Sequence, residues 1–280
     1  MTLRLADIGA RIEGIHQLGS VVGAMRGIAA ARAQQARDGL AAVDGYAAII
    51  AGGIGQALAA MPTVTAAPPA SRYPALVVFA AEQGFAGAFS DHVFDGALPD
   101  LATHILFVVG TRGASVLRER GIVPAWTIAS PAHPGGMPKL ADSISQALYA
   151  QIATGAVDGV DVVHMRSTPG SPPNVVRDTV LPLALRHDAA SERIEPPLLN
   201  LSPPILLAGL TAEYLHAQLC RAALHGFAAE NEARTMAMAA ARDHMDRSLA
   251  TLRRQERQVR QEEITAEVIE LAAGAAAGRR

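Results

Sequence analysis

The sequence predicts an α/β domain inserted between two long terminal helices that pair as an antiparallel coiled coil. Three observations carry that expectation. Apolar or small residues recur at Leu5, Ile8, Ile12, Ile15, Gly19, Val22, Met25, Ala29, Ala33, Ala36, Leu40, Val43, Ala47, Ile50, Ile54 and Leu58, fifteen steps over 53 positions. That is roughly 3.5 residues per step, the repeat that makes helices supercoil around a partner. Met238, Ala241, Met245, Leu249, Leu252 and Val259 repeat the spacing near the other end, and Val268 and Leu271 resume it after a polar break. Between the two ends lie continuous apolar runs of strand length at 75–81, 104–110 and 160–166, separated by helix-like segments. Buried strands alternating with helices specify a mostly parallel sheet covered on both faces, a Rossmann-like arrangement.

The first helix is expected over 1–61. It stops where Pro62, Pro68, Pro69 and Pro74 deny backbone N–H groups and clash with a preceding turn. At about 1.5 Å of rise per residue a helix of that size is roughly 80 Å long, far beyond the width of a small domain. The insert occupies 75–200, with helices near 90–98, 112–120 and 140–153 and a short strand near 122–128. The stretch 167–204, rich in Pro and Ser, reads as a connecting arm or an edge hairpin. From residue 205 the pattern is helical to about 275, and this element is the expected partner of 1–61.

Composition narrows the function. Half of the 280 residues are hydrophobic and the formal charge is −2, so a large core forms and generic nucleic-acid binding is not expected; Arg26, Arg32 and Arg37 make only a local basic patch. Cys220 is the sole cysteine, which excludes a disulfide framework and a cysteine-rich zinc site and suits a reducing compartment. The N-terminus interleaves charges with apolar residues, unlike a secretory signal, and no segment reads as long and charge-free enough to span a bilayer.

Candidate chemistry is sparse. Gly84-Phe85-Ala86-Gly87-Ala88-Phe89 follows the first strand, where nucleotide folds place a phosphate loop, but its spacing is not G-x-G-x-x-G, and a structural turn is the expected role. Lys139, the only lysine, lies in GGMPKLADS, which excludes a P-loop. His216 and Cys220 share a helix face at i, i+4 without a third metal ligand in sight, so a packed face is expected. Asp158 and Asp161 read as turn chemistry at a strand start, and Met236 and Met238 as helix core or interface. No catalytic, cofactor-binding or metal-ligating set emerges.

The termini carry a resemblance. Glu230, then Ala233-Arg234-Thr235-Met236-Ala237-Met238, and later Arg260-Gln261, Ile264-Thr265 and Glu267 before LAAGAAAG, resemble the end of the gamma subunit of F-type ATP synthases. Gly23-Ala24-Met25 through Arg32, Glu82 through Phe89, and Val109-Gly110-Thr111-Arg112-Gly113 resemble three further segments of that family. The resemblance implies a central rotor shaft: paired terminal helices within a ring of three alpha and three beta subunits, the insert and foot on the epsilon subunit and the c-ring. It implies no catalytic residue and no cofactor in this chain, indirect membrane association through the c-ring on the cytoplasmic face of a bacterial inner membrane, and a coupling ion set by the c-ring. Met25, Arg32, Arg234, Arg260, Gln261, Thr265 and Glu267 fall on the family's positions for contacting the beta subunits. Small residues such as Gly19, Gly23, Gly27, Ala29 and Ala33 would let the helices approach closely.

The sequence also departs from that pattern. Leu18 through Gly23 lacks the family's two lysines, Gly27 replaces a methionine, Thr235 interrupts Arg-Met, and Arg242-Asp243-His244 replaces Thr-x-Asn. This points to a divergent synthase, with main and second-copy enzymes both open. Two other functions fit the pattern less well: a nucleotide- or flavin-binding α/β enzyme with a coiled-coil dimerisation arm, and a coiled-coil adaptor.

Overall fold

The computed structural model describes residues 5–59, 73–97, 100, 103–168, 171–183 and 199–277. Helix α1 spans Leu5–Ala59 and helix α5 spans Pro203–Ala277. Between them run β1 (Pro74–Phe79), α2 (Phe89–Ala97), β2 (Ile105–Val109), α3 (Thr111–Glu119), β3 (Trp126–Ile128), α4 (Met137–Ala153), β4 (Gly159–Thr168) and β5 (Ser171–Leu181). The chain forms two compact units, Ala29–Arg234 and a second made of Met1–Ile28 with Thr235–Arg280. The boundaries fall inside α1 and α5, whereas the sequence suggests divisions at the proline-rich connections.

In the unit Ala29–Arg234 the sheet order is β3-β2-β1-β4-β5. The first four strands are mutually parallel, and β5 runs antiparallel to β4 at the edge. The stretch after residue 167 is therefore an edge hairpin over its first part; residues 184–198 lie outside the described residues. Two-residue alternation sorts the side chains. Val77, Phe79, Phe107, Val109, Val160 and Val162 face α4 and α5, together with Ala36 of α1. Leu76, Val78, Leu106, Val108, Val163 and Met165 face α2 and α3. Both faces are buried, which is why these strands read as unbroken apolar runs.

Two glycines are dictated by backbone geometry. Gly110 has φ +110°, and a Cβ there would lie 2.5 and 2.6 Å from the carbonyl oxygens of Ala80 and Ala81. Gly113 opens α3 against the sheet, where a Cβ would lie 2.3 Å from that of Ala80. The Val109–Gly113 segment thus owes its sequence to packing. Gly110→Ala should destabilise the chain by about 3 kcal/mol, combining positive-φ strain with a backbone clash, as read by chemical denaturation.

All sixteen α1 positions of the 3.5-residue repeat are buried or half-buried. In the unit Ala29–Arg234 the antiparallel pairing runs through Gly53 with Leu210, Gly39 with Leu224, the Tyr46 hydroxyl donating to Glu213 at 2.7 Å, and the Arg37–Glu232 ion pair. In the other unit Gly19 meets Arg242, and Arg253 reaches His16. Gly19 admits its neighbour closely, but Gly23 and Gly27 have nothing within 4 Å of a Cβ position, so close approach does not explain them. On α5, Met238 through Val259 keep the predicted inward positions. Val268 and Leu271 do not: they are 58% and 74% exposed.

One expectation needs correcting. By length and composition α1 does contain an 18-residue stretch of mean hydropathy 1.2 with at most two charged residues. Alanine and glycine dilute its charge, while its repeat positions pack on α5.

Candidate functional site

The glycine-bearing loop after β1 is held by α5. Glu230, nearly buried, accepts the backbone N–H groups of Glu82 and Gln83, each at 3.1 Å. Arg234 lies one helical turn on, pairs with Glu230 at 2.6 Å, and donates to the carbonyls of Gly84 (3.1 Å) and Gln83 (3.2 Å) and to Asn231 Oδ1 (3.0 Å). Asn231 in turn donates to the Phe227 carbonyl at 2.8 Å. The i, i+4 spacing brings carboxylate and guanidinium onto one face, and together they match the loop's N–H groups and carbonyls.

Glu82 completes the arrangement from the other side. Its carboxylate accepts the Thr111 N–H at 3.0 Å and hydroxyl at 2.8 Å, where α3 begins, and the Ser130 N–H at 2.7 Å. In doubly wound folds the carboxyl ends of the strands and the following helix N-termini are where phosphates bind. Here the chain's own carboxylates accept backbone donors at this end of the sheet, Glu82 from Thr111 at the start of α3 and Glu230 from the loop after β1. Phe85 and Gly87 turn the loop with φ +63° and +58°.

The other candidates also resolve into packing. Cys220 is buried, its thiol near the Met137 carbonyl (3.9 Å) and His216 Nε2 (3.4 Å), and burial first, then the Asp142 charge, pushes it up to about 12. His216 Nδ1 lies 3.0 Å from Asp142. Cys220 should resist thiol reagents in the native chain and react fully on unfolding, as a colorimetric thiol assay would read. Among the described residues no group of three or more His, Cys, Asp and Glu side chains could hold a metal ion.

Asp158 accepts the Tyr73 N–H at 2.8 Å, which is turn chemistry. Asp161 does more: it pairs with Arg177 at 2.6 Å and lies 3.3 Å from His104 Nε2, while Arg177 also pairs with Asp100. Burial alone would raise the Asp161 carboxyl, but hydrogen bonds from Arg177 and Thr179 and the Arg177 charge outweigh it and hold it below the ordinary carboxylate range. A carboxyl lowered by folding adds stability above its unfolded value and loses it as pH falls through the folded one. Arg177→Ala should therefore cost about 2 kcal/mol at pH 7, a value kept modest by the 39% exposure of Arg177. That loss should shrink in a denaturation series as pH falls through the lowered folded value of Asp161.

The residues expected to meet partners fall into three settings. Met25 and Arg32 are half-buried on α1. Arg234 is 5% exposed, and its guanidinium is occupied within the chain, so it positions the loop instead of offering itself at the surface. Arg260, Gln261, Thr265 and Glu267 are exposed on α5; Arg260 pairs with Glu256 at 2.9 Å, and the Thr265 hydroxyl donates to the Gln261 carbonyl at 2.7 Å. The internal use of Arg234 was not legible from its motif, since only the fold brings residues 82–84 to it. Met238 is buried and Met236 is 67% exposed.

The end of the sheet is thus occupied by the chain's own side chains, and the two longest elements pair with each other. A family model described as ATP synthase matches residues 4–277. The chain is 29% identical to the ATP synthase gamma chain of Frankia casuarinae over 98% of both chains. It is 30% identical to that of Clavibacter michiganensis, over 95% of this chain and 94% of the other. Its fold is similar to a chain of the Euglena gracilis mitochondrial ATP synthase (OSCP/F1/c-ring), with a TM-score of 0.70 at 13% identity over 98% of this chain and 94% of that one. The chain belongs to the ATP synthase gamma-chain family. It is a non-catalytic subunit of the peripheral F1 sector, the central rotor stalk of an F-type ATP synthase, in which catalysis resides in the beta subunits.

Proposed function

We propose that the exposed end of α5 is the surface through which this stalk meets the three beta subunits, with Arg260, Gln261, Thr265 and Glu267 as its polar contacts and Met25 and Arg32 contributing from α1. The observation that carries the reading is the character of residues 260–273. Every one is exposed, yet Ile264, Val268, Ile269 and Leu271 are 55%, 58%, 64% and 74% exposed. A helix that displays large apolar side chains beside charged and amide groups is suited to a surrounding protein sleeve. Charge-assisted hydrogen bonds from such residues suit transient contacts that depend on geometry. Arg234 serves indirectly, by fixing the loop after β1.

In this reading the subunit works on the cytoplasmic face of a bacterial inner membrane, within three alpha and three beta subunits and in contact with epsilon and the c-ring. Co-expression with alpha and beta subunits of the same organism tests it: a complex of three alpha, three beta and one copy of this chain should form, with ATPase activity dependent on the chain. Replacing Arg260 and Gln261 together with alanine should lower coupled ATP turnover about fivefold, the value of roughly 1 kcal/mol of lost hydrogen bonding, without preventing assembly. Unchanged turnover would place the contact elsewhere on the chain.

A further inference from the structure

The unit Ala29–Arg234 buries two histidines that the rotor reading leaves unused. His164 lies on β4, on the sheet face that packs against α4 and α5, and is 1% exposed; His225, on α5, is 9% exposed. Their rings stack with centroids 5.5 Å apart and planes at 27°. Among the described residues, His164 Nδ1 and Nε2 and His225 Nδ1 are buried without a hydrogen-bond partner. A stacked pair of neutral rings is tolerable in an apolar seam, but a stacked pair bearing a proton is costly, since burial disfavours a charge without a paired acceptor.

The charges around the pair worsen this. Arg166 on β4 and Arg221 on α5 flank it, answered by Asp178 on β5 and Asp44 on α1. Arg166 sits 3.7 Å from Asp178, and Arg221 sits 3.7 Å from Asp44 and 3.9 Å from Asp178. Burial, the neighbouring imidazole and the two arginines push His164 down to about 3. Burial and the same arginines, partly countered by Asp44 and Asp178, push His225 down to about 4.

We propose that the His164–His225 stack is a proton-sensitive seam between the sheet and α5, one that opens to let the rings take up protons when the surroundings acidify. The sign follows from linkage. Histidines kept neutral by folding stabilise the closed form fully above about pH 6.5, and that contribution falls as pH drops toward their folded values. Between pH 8 and pH 5 each ring should raise the opening equilibrium by about 30-fold, from the 1.5 pH units separating pH 5 from the ordinary histidine value. The Asp161 carboxyl, held below the ordinary carboxylate range, stays ionised at pH 5.

Hydrogen exchange of the full chain at pH 8 and pH 5, corrected for intrinsic rates, tests the proposal. The amides of β4 and of α5 around residues 219–228 should lose protection by two to three orders of magnitude. The same segments of the His164→Leu/His225→Leu chain should show at most a few-fold change and stronger protection at pH 8. Should the double variant not fold, His225→Gln, which keeps a polar group that does not titrate, should reduce the wild-type loss by about 30-fold. Equal pH dependence in wild type and variants would overturn the proposal, as would a wild-type loss that spares β4.

Discussion

Glu230→Ala should remove about 3–5 kcal/mol of stability, the cost of leaving a buried guanidinium without its carboxylate. Both side chains are almost fully enclosed, at 5% and 6% exposure. The substitution also orphans the backbone N–H groups of Glu82 and Gln83, which accounts for the upper part of the range. Urea denaturation of the full chain measures it. Because Arg234→Ala breaks the same pair, the double variant should cost clearly less than the sum of the two single variants. Strict additivity would show that the pair is not the unit holding the loop. A thermal shift confined to the melting of α5 alone would carry the same message.

Phe94→Ala comes next, with an expected cost of about 3–5 kcal/mol. Phe94 lies on the inner face of α2, 0% exposed, among Leu76, Val78, Val93, Leu106 and Leu117. The Arg120 guanidinium lies 5.9 Å from the ring centroid on the outer side, so truncation removes a cation–π contact as well as core volume. Phe94→Leu should recover more than half of the loss. Denaturation midpoints of the three chains at pH 7 decide the matter; a loss below 1 kcal/mol would mean that α2 collapses onto the gap.

What could be read from the sequence was whatever depended on local periodicity. The 3.5-residue repeat in α1 picks out buried or half-buried positions throughout, because a helix has one geometry and its partner runs beside it. The strands at 75–81, 104–110 and 160–166 appear within two residues of their places, since a strand covered on both faces leaves an unbroken apolar run. β3 was harder: only Trp126–Ile128 pair with β2, and three residues carry little pattern. β5 alternates polar and apolar residues weakly because it forms the sheet edge. Val268 and Leu271 keep the repeat but are exposed, a distinction that periodicity cannot make.

The interaction residues were legible as a motif and not as an environment. Arg234 and Arg260 both belong to the resembling segments, yet one is enclosed by residues 82–84 and the other is exposed. That separation rests on contacts about 150 positions apart in the chain, such as Arg234 with Gly84. The same holds for the histidine stack, where His164 and His225 come from different elements and neither sits in a recognisable pattern. Glu82 illustrates the converse. Its neighbours lie where a phosphate loop would and read as a structural turn, and only tertiary structure reveals that the Glu82 carboxylate accepts the first N–H of α3.

The open glycines of α1 bear on elasticity. Gly9, Gly14, Gly23 and Gly27 have no atom within 4 Å of a Cβ position, so alanine would fit at each without displacing anything. Alanine would also favour the helix by about 1 kcal/mol per site. The first part of α1 is thus softer than its packing demands, and helix softness is compliance under twist. In a rotor, compliance stores energy between steps and releases it smoothly. An alanine-filled α1 would be a stiffer spring, delivering the same total rotation in sharper jumps.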